Sequence, residues 1–159
     1  MNSSQTNSGG WNLSQMRTRI CGTSLSNYSG TIIAVIPAEL RAVLKSVTKY
    51  TDNTGGGGTA ANAVTETTDY FFLLSEYEVF GSISRANSNE KNKQAQYSYY
   101  SAGNNKVKYN HSATSTAVFW WLRSPSANYS AYFVGAFQNG MGGSFTATYS
   151  YGFTPGFCV

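Results

Sequence analysis

The side chains able to do chemistry are unevenly placed along this chain. All seven carboxylates (Glu39, Asp52, Glu66, Asp69, Glu76, Glu78 and Glu90) fall within the first 90 of its 159 residues. The last 69 residues therefore cannot supply, from side chains, the paired carboxylates of acid–base hydrolysis or an oxygen cage for calcium. The single histidine, His111, lies between Asn110 and Ser112 without other ligand types at metal spacing. It reads as a surface residue, and no metal or other cofactor is expected. Cys21 and Cys158 form no CxxC unit and leave two readings open, a disulfide or two buried thiols. Four consecutive glycines, Gly55 to Gly58, could suggest a phosphate cradle. No Lys-Ser/Thr follows them and no buried strand precedes them, so a surface loop is the expectation.

The chemistry that remains is non-covalent recognition. From Ser124 to Val159 there is no charged side chain, and nine aromatic residues lie within 126–159. Tyrosine, serine, asparagine and glycine dominate that stretch. Such residues give rigid amphipathic contact area and adaptable hydrogen bonding, the composition of an antibody paratope. Asn128, Tyr129, Tyr132, Phe137, Asn139, Phe145 and Tyr149 are the candidate ligand contacts, expected on one exposed surface. Tyr129 and Tyr132 lead because they follow the Arg-Ser-Pro corner at 123–125. Phe133, Tyr151, Phe153 and Phe157 are assigned to the core. Without local charge, binding at such a surface should respond little to salt.

Composition points the same way. Apolar residues make up 41%, charged residues only 11% and aromatics 15%, which fits a folded extracellular or virion protein better than a cytosolic enzyme. The net charge is +4, but the cations are scattered and no basic run is interleaved with aromatics, so no nucleic-acid partner is expected. No run of 18 apolar residues occurs, so no membrane insertion is expected. The opening MNSSQTNSGGW lacks the basic and apolar regions of a signal peptide.

The elements that must position this surface are readable in part. Leu13, Met16, Arg17 and Ile20 are spaced as a short helix between glycines. Pro37 opens a second helix, expected over 37–49, with Leu40, Val43, Leu44 and Val47 on one apolar face and Lys45 and Lys49 toward its end. Residues 51–68 read as loop. YFFLL at 70–74 reads as a buried strand, and Ser75 with Glu78 is spaced as a capping box starting a short helix. Polar residues 82–95 lead into another short helix. AVFWWL at 117–122 is a strand ended by Pro125, and only one of Trp120 and Trp121 should face the main core, the other being covered by a loop. AYFVGAF at 131–137 and SFTATYS at 144–150 flank Asn139-Gly140, a hairpin signal. Helices first and strands last make the fold class α+β, with early helices, the one at 37–49 among them, packed on a C-terminal antiparallel sheet.

Gly9-Gly10-Trp11, Met16-Arg17, Phe72-Leu73-Leu74-Ser75, Trp120 to Pro125 (WWLRSP), Ser150-Tyr151-Gly152 and Pro155-Gly156-Phe157-Cys158 form a pattern spanning the chain. It resembles an uncharacterised domain family of gut bacteria and their phages. That family is similar to C-type lectin-like domains, including the variable proteins of diversity-generating retroelements. The resemblance implies one C-type lectin-like domain over 1–159, of a kind that can form the C-terminal part of a longer protein, with a variable ligand-binding region at 126–149. It implies a receptor-binding or adhesin-type module on a phage tail or bacterial cell surface, whose partner is a protein or glycan on a bacterial surface. WWLRSP would be scaffold, its arginine hydrogen-bonding to backbone oxygens. Formylglycine-generating enzymes share the lectin-like fold. Their cysteine pair and carboxylate set have no counterpart here, so no enzyme activity is expected. The EPN, QPD and WND triplets of calcium-dependent lectins are missing as well. A structural virion or surface domain without a ligand is the other reading.

Overall fold

The computed structural model describes residues 1–20, 25 and 28–159. Cys21 lies outside the described residues, so the disulfide question lies there too. Cys158 is exposed, which does not fit the buried-thiol reading.

The first helix, α1 (Gln15–Ile20), starts later than the spacing suggests, and Leu13 precedes it, exposed. The helix expected over 37–49 is only α2 (Ala38–Val43). Its chain turns extended at Leu44, and β1 (Val47–Asp52) follows. The reason lies in residues read as loop. β2 (Val64–Asp69) offers alternating threonines and pairs antiparallel with β1 from Val47 opposite Asp69 to Asp52 opposite Val64. Residues 47–51, with two threonines, a valine and a tyrosine, suit a pleated surface better than a helix end. The expected apolar helix face is correspondingly split: Val43 is exposed and Leu44 buried. Nor does α2 pack on the C-terminal sheet. Leu40 and Leu44 join Ile33 and Phe71 in a small cluster of their own.

β3 (Phe71–Leu73) is buried throughout, as its apolar run dictates. The capping box forms as its sequence requires. The Ser75 hydroxyl accepts from the Glu78 N–H, and the Glu78 carboxylate accepts from the Ser75 N–H, opening α3 (Glu76–Phe80). Gly81 ends α3 in the left-handed conformation, φ 67°. A 3-10 turn at 88–93 and α4 (Ser98–Ser101) lead to an exposed hairpin of β4 (Lys108–Asn110) and β5 (Ala113–Val118).

The centre of the fold is a four-stranded sheet of β6 (Trp120–Pro125), β7 (Tyr132–Ala136), β8 (Gly142–Thr146) and β9 (Gly152–Phe153), in the order β8-β7-β6-β9. β8-β7-β6 is antiparallel, whereas β9 runs parallel to β6. The sheet is thus not wholly antiparallel. β10 (Pro155–Phe157) leaves it to pair with β3. Pro125 ends β6 after a register shift, opposite Phe133.

Both faces of the central sheet are covered, which accounts for the two tryptophans. Side chains alternate along a strand. Trp121 joins Trp11, Ile20, Leu73, Phe133 and Phe145 on one face. Trp120 joins Leu122, Val134, Ala136, Val79 of α3 and Tyr100 of α4 on the other. Both indoles are fully buried, each in a packed cluster, so neither needs only a loop as cover. The architecture is α+β, with short helices on both faces of the sheet.

Candidate functional site

A buried polar network holds this architecture. The fully buried Arg123 donates to Thr51 Oγ1 and Leu73 O at 2.7 Å each, to Glu78 Oε2 at 2.5 Å and to Tyr50 O at 3.2 Å. It thus meets the expected backbone oxygens and also a carboxylate. Burial alone would push the Glu78 carboxyl up. Arg123, Lys49 and the Ser75 N–H outweigh it and hold the group below its ordinary value. Glu90 lies one strand residue further along, accepting from Asp52 N–H and from the Ser124 hydroxyl. Burial pushes its carboxyl up to about 7 against those donors and Arg123, with the Asp52 charge adding to the rise. Asp52 in turn accepts from Thr54 N, Gly55 N and Asn87 Nδ2, and Glu76 from Ser84, Arg85 N and Ala86 N. Each of these acids accepts from at least one backbone N–H, and Glu78 also lines a cleft of about 360 Å³ beside Lys49 and Tyr97.

The candidate contact residues divide into two groups. At one end of β7, Asn128 and Tyr129 are exposed, and Tyr132 is half-buried with its ring 5.2 Å from that of Tyr129. Their loop is tied down by hydrogen bonds, chiefly to a residue the sequence did not single out. The buried Asn7 donates through Nδ2 to the carbonyls of Ser126, Tyr129 and Tyr132, and accepts from Gly56 N–H. The four glycines pack beside this loop, Gly58 N donating to Ala127 O. All four have positive φ, which explains their run without any phosphate.

At the other end lie Phe137 and Asn139, exposed, with Gly140 turning the hairpin at φ 82°. Alternation places Tyr132 on the face of Val134 and Ala136, and Phe137 on the opposite face with Phe133. The seven residues therefore do not share one surface. Phe145 is not exposed at all. At 8% exposure it is the hub of an aromatic cluster, its ring centroid 5.0 Å from Phe137, 5.5 Å from Phe119 and 5.1 Å from Tyr151. Tyr149, exposed, packs edge-on against Tyr151 at 5.5 Å.

Next to this second group runs a groove of about 590 Å³, within the ~300–1,000 Å³ of small-ligand sites. Phe119, Gln138, Ser150, Tyr151, Phe153 and Thr154 form one side; Lys108, Tyr109, Asn110 and His111 of the β4–β5 hairpin form the other. Phe119 and Tyr151 stack at 4.9 Å and 17°. Phe153, assigned to the core from sequence, is exposed here, because β9 is a two-residue edge strand with nothing beyond it to cover the ring. Phe157 is also exposed, on β10, and Tyr151 is half-buried, so of the four assigned core aromatics Phe133 alone is fully buried. Burial, with the neighbouring Tyr149, raises the Tyr151 hydroxyl above its ordinary value. The groove is not charge-free, since Lys108 lines it from the β4–β5 hairpin, before the uncharged stretch that begins at Ser124. Its pairing with Lys106 in KVKYNH was the only signal for it.

The sequence profile of a family described as Domain of unknown function (DUF6273) matches residues 1–159. No curated protein and no solved structure matches the chain.

Proposed function

We propose that this chain, which belongs to the DUF6273 domain family, is a ligand-binding module of C-type lectin-like fold rather than an enzyme. The observation that carries the reading is the groove between the β4–β5 hairpin and residues 150–154, in which Tyr109, Tyr151 and Phe153 present rings beside amide and hydroxyl side chains. Aromatic faces ringed by neutral hydrogen-bonding groups suit recognition, and truncated aromatic anchors commonly cost 2 kcal/mol or more in binding. The carboxylates a hydrolase would use are tied into backbone hydrogen bonds away from this groove, as Glu76, Glu90 and Asp52 illustrate. Helices first, a terminal sheet built on WWLRSP, and the resemblance of its motifs to retroelement-diversified proteins support the lectin-like fold. They also support a place on a phage tail or bacterial surface, with a bacterial surface protein or glycan as partner. Tyr129, held out by the Asn7-locked loop, offers a second contact at the far end of β7.

The test is binding of the labelled domain to a panel of gut bacterial cells, comparing the parent with Tyr109→Ala/Phe153→Ala. Tyr109 is 52% and Phe153 41% exposed, so the fold should survive their removal. The expected result is saturable binding to a subset of cells, weakened about 30-fold or more by the double variant. Binding to no cell in the panel, or equal binding by both proteins, would overturn the reading in favour of a structural domain.

A further inference from the structure

The groove's charge identifies its occupant. Among the described residues, four side-chain ion pairs engage Arg17, Lys49, Arg85 and Arg123 with Asp69, Glu78 and Glu76. Lys108 is in none of them. Its ammonium lies 5.6 Å from the Trp120 ring centroid, 5.8 Å from Tyr99 and 5.7 Å from Tyr100. Of these rings only Trp120 also lines the groove, so the ammonium sits at the edge where the groove meets α4, with no carboxylate lining the groove to meet it. Its surroundings are partly desolvated, and burial lowers its pKa from the ordinary lysine value. A cation stripped of part of its water and left without a counter-charge gains from an anion placed beside it.

The remaining lining decides what bears that anion. Phosphate recognition favours a bidentate arginine, a glycine-rich nest or several cations in a row. The groove lining contains no arginine, and its single glycine, Gly152, is in a strand without positive φ. It offers instead exposed rings from Tyr109 and Phe153 and neutral donors and acceptors from Asn110, Gln138 and Thr154. Ring faces match the C–H faces of pyranose rings, and amides and hydroxyls match sugar hydroxyls. We infer that the groove binds an acidic saccharide, with Lys108 meeting the sugar carboxylate and the exposed rings of Tyr109 and Phe153 stacking on its rings. This rests on the binding-module reading and names the ligand class for the same groove.

The experiment is a calorimetric and NMR titration of the domain with a trimer of α-1,4-linked galacturonic acid and with its methyl ester, which keeps the shape and removes the charge. The acid should bind about tenfold more tightly than the ester at low salt, as a charge-assisted contact allows. The difference should vanish near 1 M sodium chloride, where the Debye length is about 3 Å. It should also vanish in Lys108→Gln and persist in Lys108→Arg, while Phe153→Ala should weaken acid and ester alike. Equal affinity for acid and ester overturns the charge assignment and leaves the binding-module reading standing, since that is decided by the cell assay. No binding of the acid, shifts mapping outside the groove, or tighter binding of a hexaglutamate peptide would each overturn the saccharide assignment.

Discussion

Replacing Arg123 with methionine should show how much of this fold depends on one buried cation. The substitution keeps an aliphatic stem and removes a guanidinium that ties β6 to β1, β3 and α3 through Tyr50, Thr51, Leu73 and Glu78. Breaking a buried pair by removing one partner costs about 3–5 kcal/mol, because the other charge stays buried. Glu78 would keep Lys49 at 3.0 Å and the Ser75 N–H at 2.9 Å, which limits its exposure to that penalty. The two carbonyls, of Leu73 and Tyr50, would each lose a donor in the interior. The lower part of the range, about 3 kcal/mol, is the expected loss. For a chain of 159 residues each kcal/mol shifts Tm by about 2–4 °C, so Tm should fall by about 6–12 °C. Urea unfolding at neutral pH gives the free energy and calorimetry the Tm. Adding Glu78→Gln removes the stranded charge, so the double variant should lose less than the two single losses combined, by at least about 1 kcal/mol. A loss under about 1 kcal/mol for Arg123→Met, or strict additivity with Glu78→Gln, would refute the idea that the guanidinium organises this junction.

Two other outcomes follow from the interior. Glu90 has its carboxyl raised to about 7 in the folded state against about 4.3 unfolded. The folded protein therefore binds more protons between those values, and this group's contribution, about 4 kcal/mol, is present below pH 4 and lost as pH rises through 7. Unfolding free energies measured from pH 4 to 8 should show that decline superimposed on the acid-side loss from Glu78, whose lowered pKa acts in the opposite sense, and Glu90→Gln should remove the decline alone. Trp120→Ala and Trp121→Ala should each destabilise by about 3–5 kcal/mol in urea unfolding, because each indole fills its own cluster on its own face of the sheet. A loss under about 1 kcal/mol for either would contradict the two-faced core.

Local signals in the sequence were reliable where the determinant was itself local. Ser75 and Glu78 make their capping box with each other, three residues apart. Asn139-Gly140 makes its turn from its own backbone preference, and the run at 71–73 is buried wherever it goes. The failures have a common cause in distance. Residues 44–49 carry a helical period, yet they become strand because β2, some twenty residues later, supplies a pairing edge. That pairing was invisible because VTETTD has few apolar residues to mark it. Phe145 and Phe153 were exchanged, one read as exposed and the other as buried. Strand alternation gives a face, but only the sheet order says that β8 lies against Phe119 and Tyr151 while β9 ends the sheet. Asn7 was silent for the same reason, since its partners are 119 to 125 residues away.

These long-range polar contacts bear directly on recognition. A displayed surface of tyrosine, asparagine and phenylalanine binds well only if its backbone is already ordered, since each segment immobilised on binding subtracts from affinity. Asn7 ties the 126–132 loop through three carbonyls, and Ser124, at the end of the same strand, is fixed by Glu90. On the groove side, Trp120 Nε1 donates to Lys106 O at 3.0 Å, anchoring the base of the β4–β5 hairpin to the sheet. Five of the seven carboxylates, Asp52, Asp69, Glu76, Glu78 and Glu90, are buried together with Arg123 and hydrogen-bonded inside. That explains how a protein with so few charges can bury Arg123, Glu76, Glu78 and Glu90 and still leave its C-terminal 36 residues, from Ser124 onward, free of any. Substitutions among the neutral side chains on the groove's exposed rim would alter what is bound without touching an ion pair or a buried hydrogen bond. On the proposed binding-module reading, ligand specificity could therefore change while stability does not.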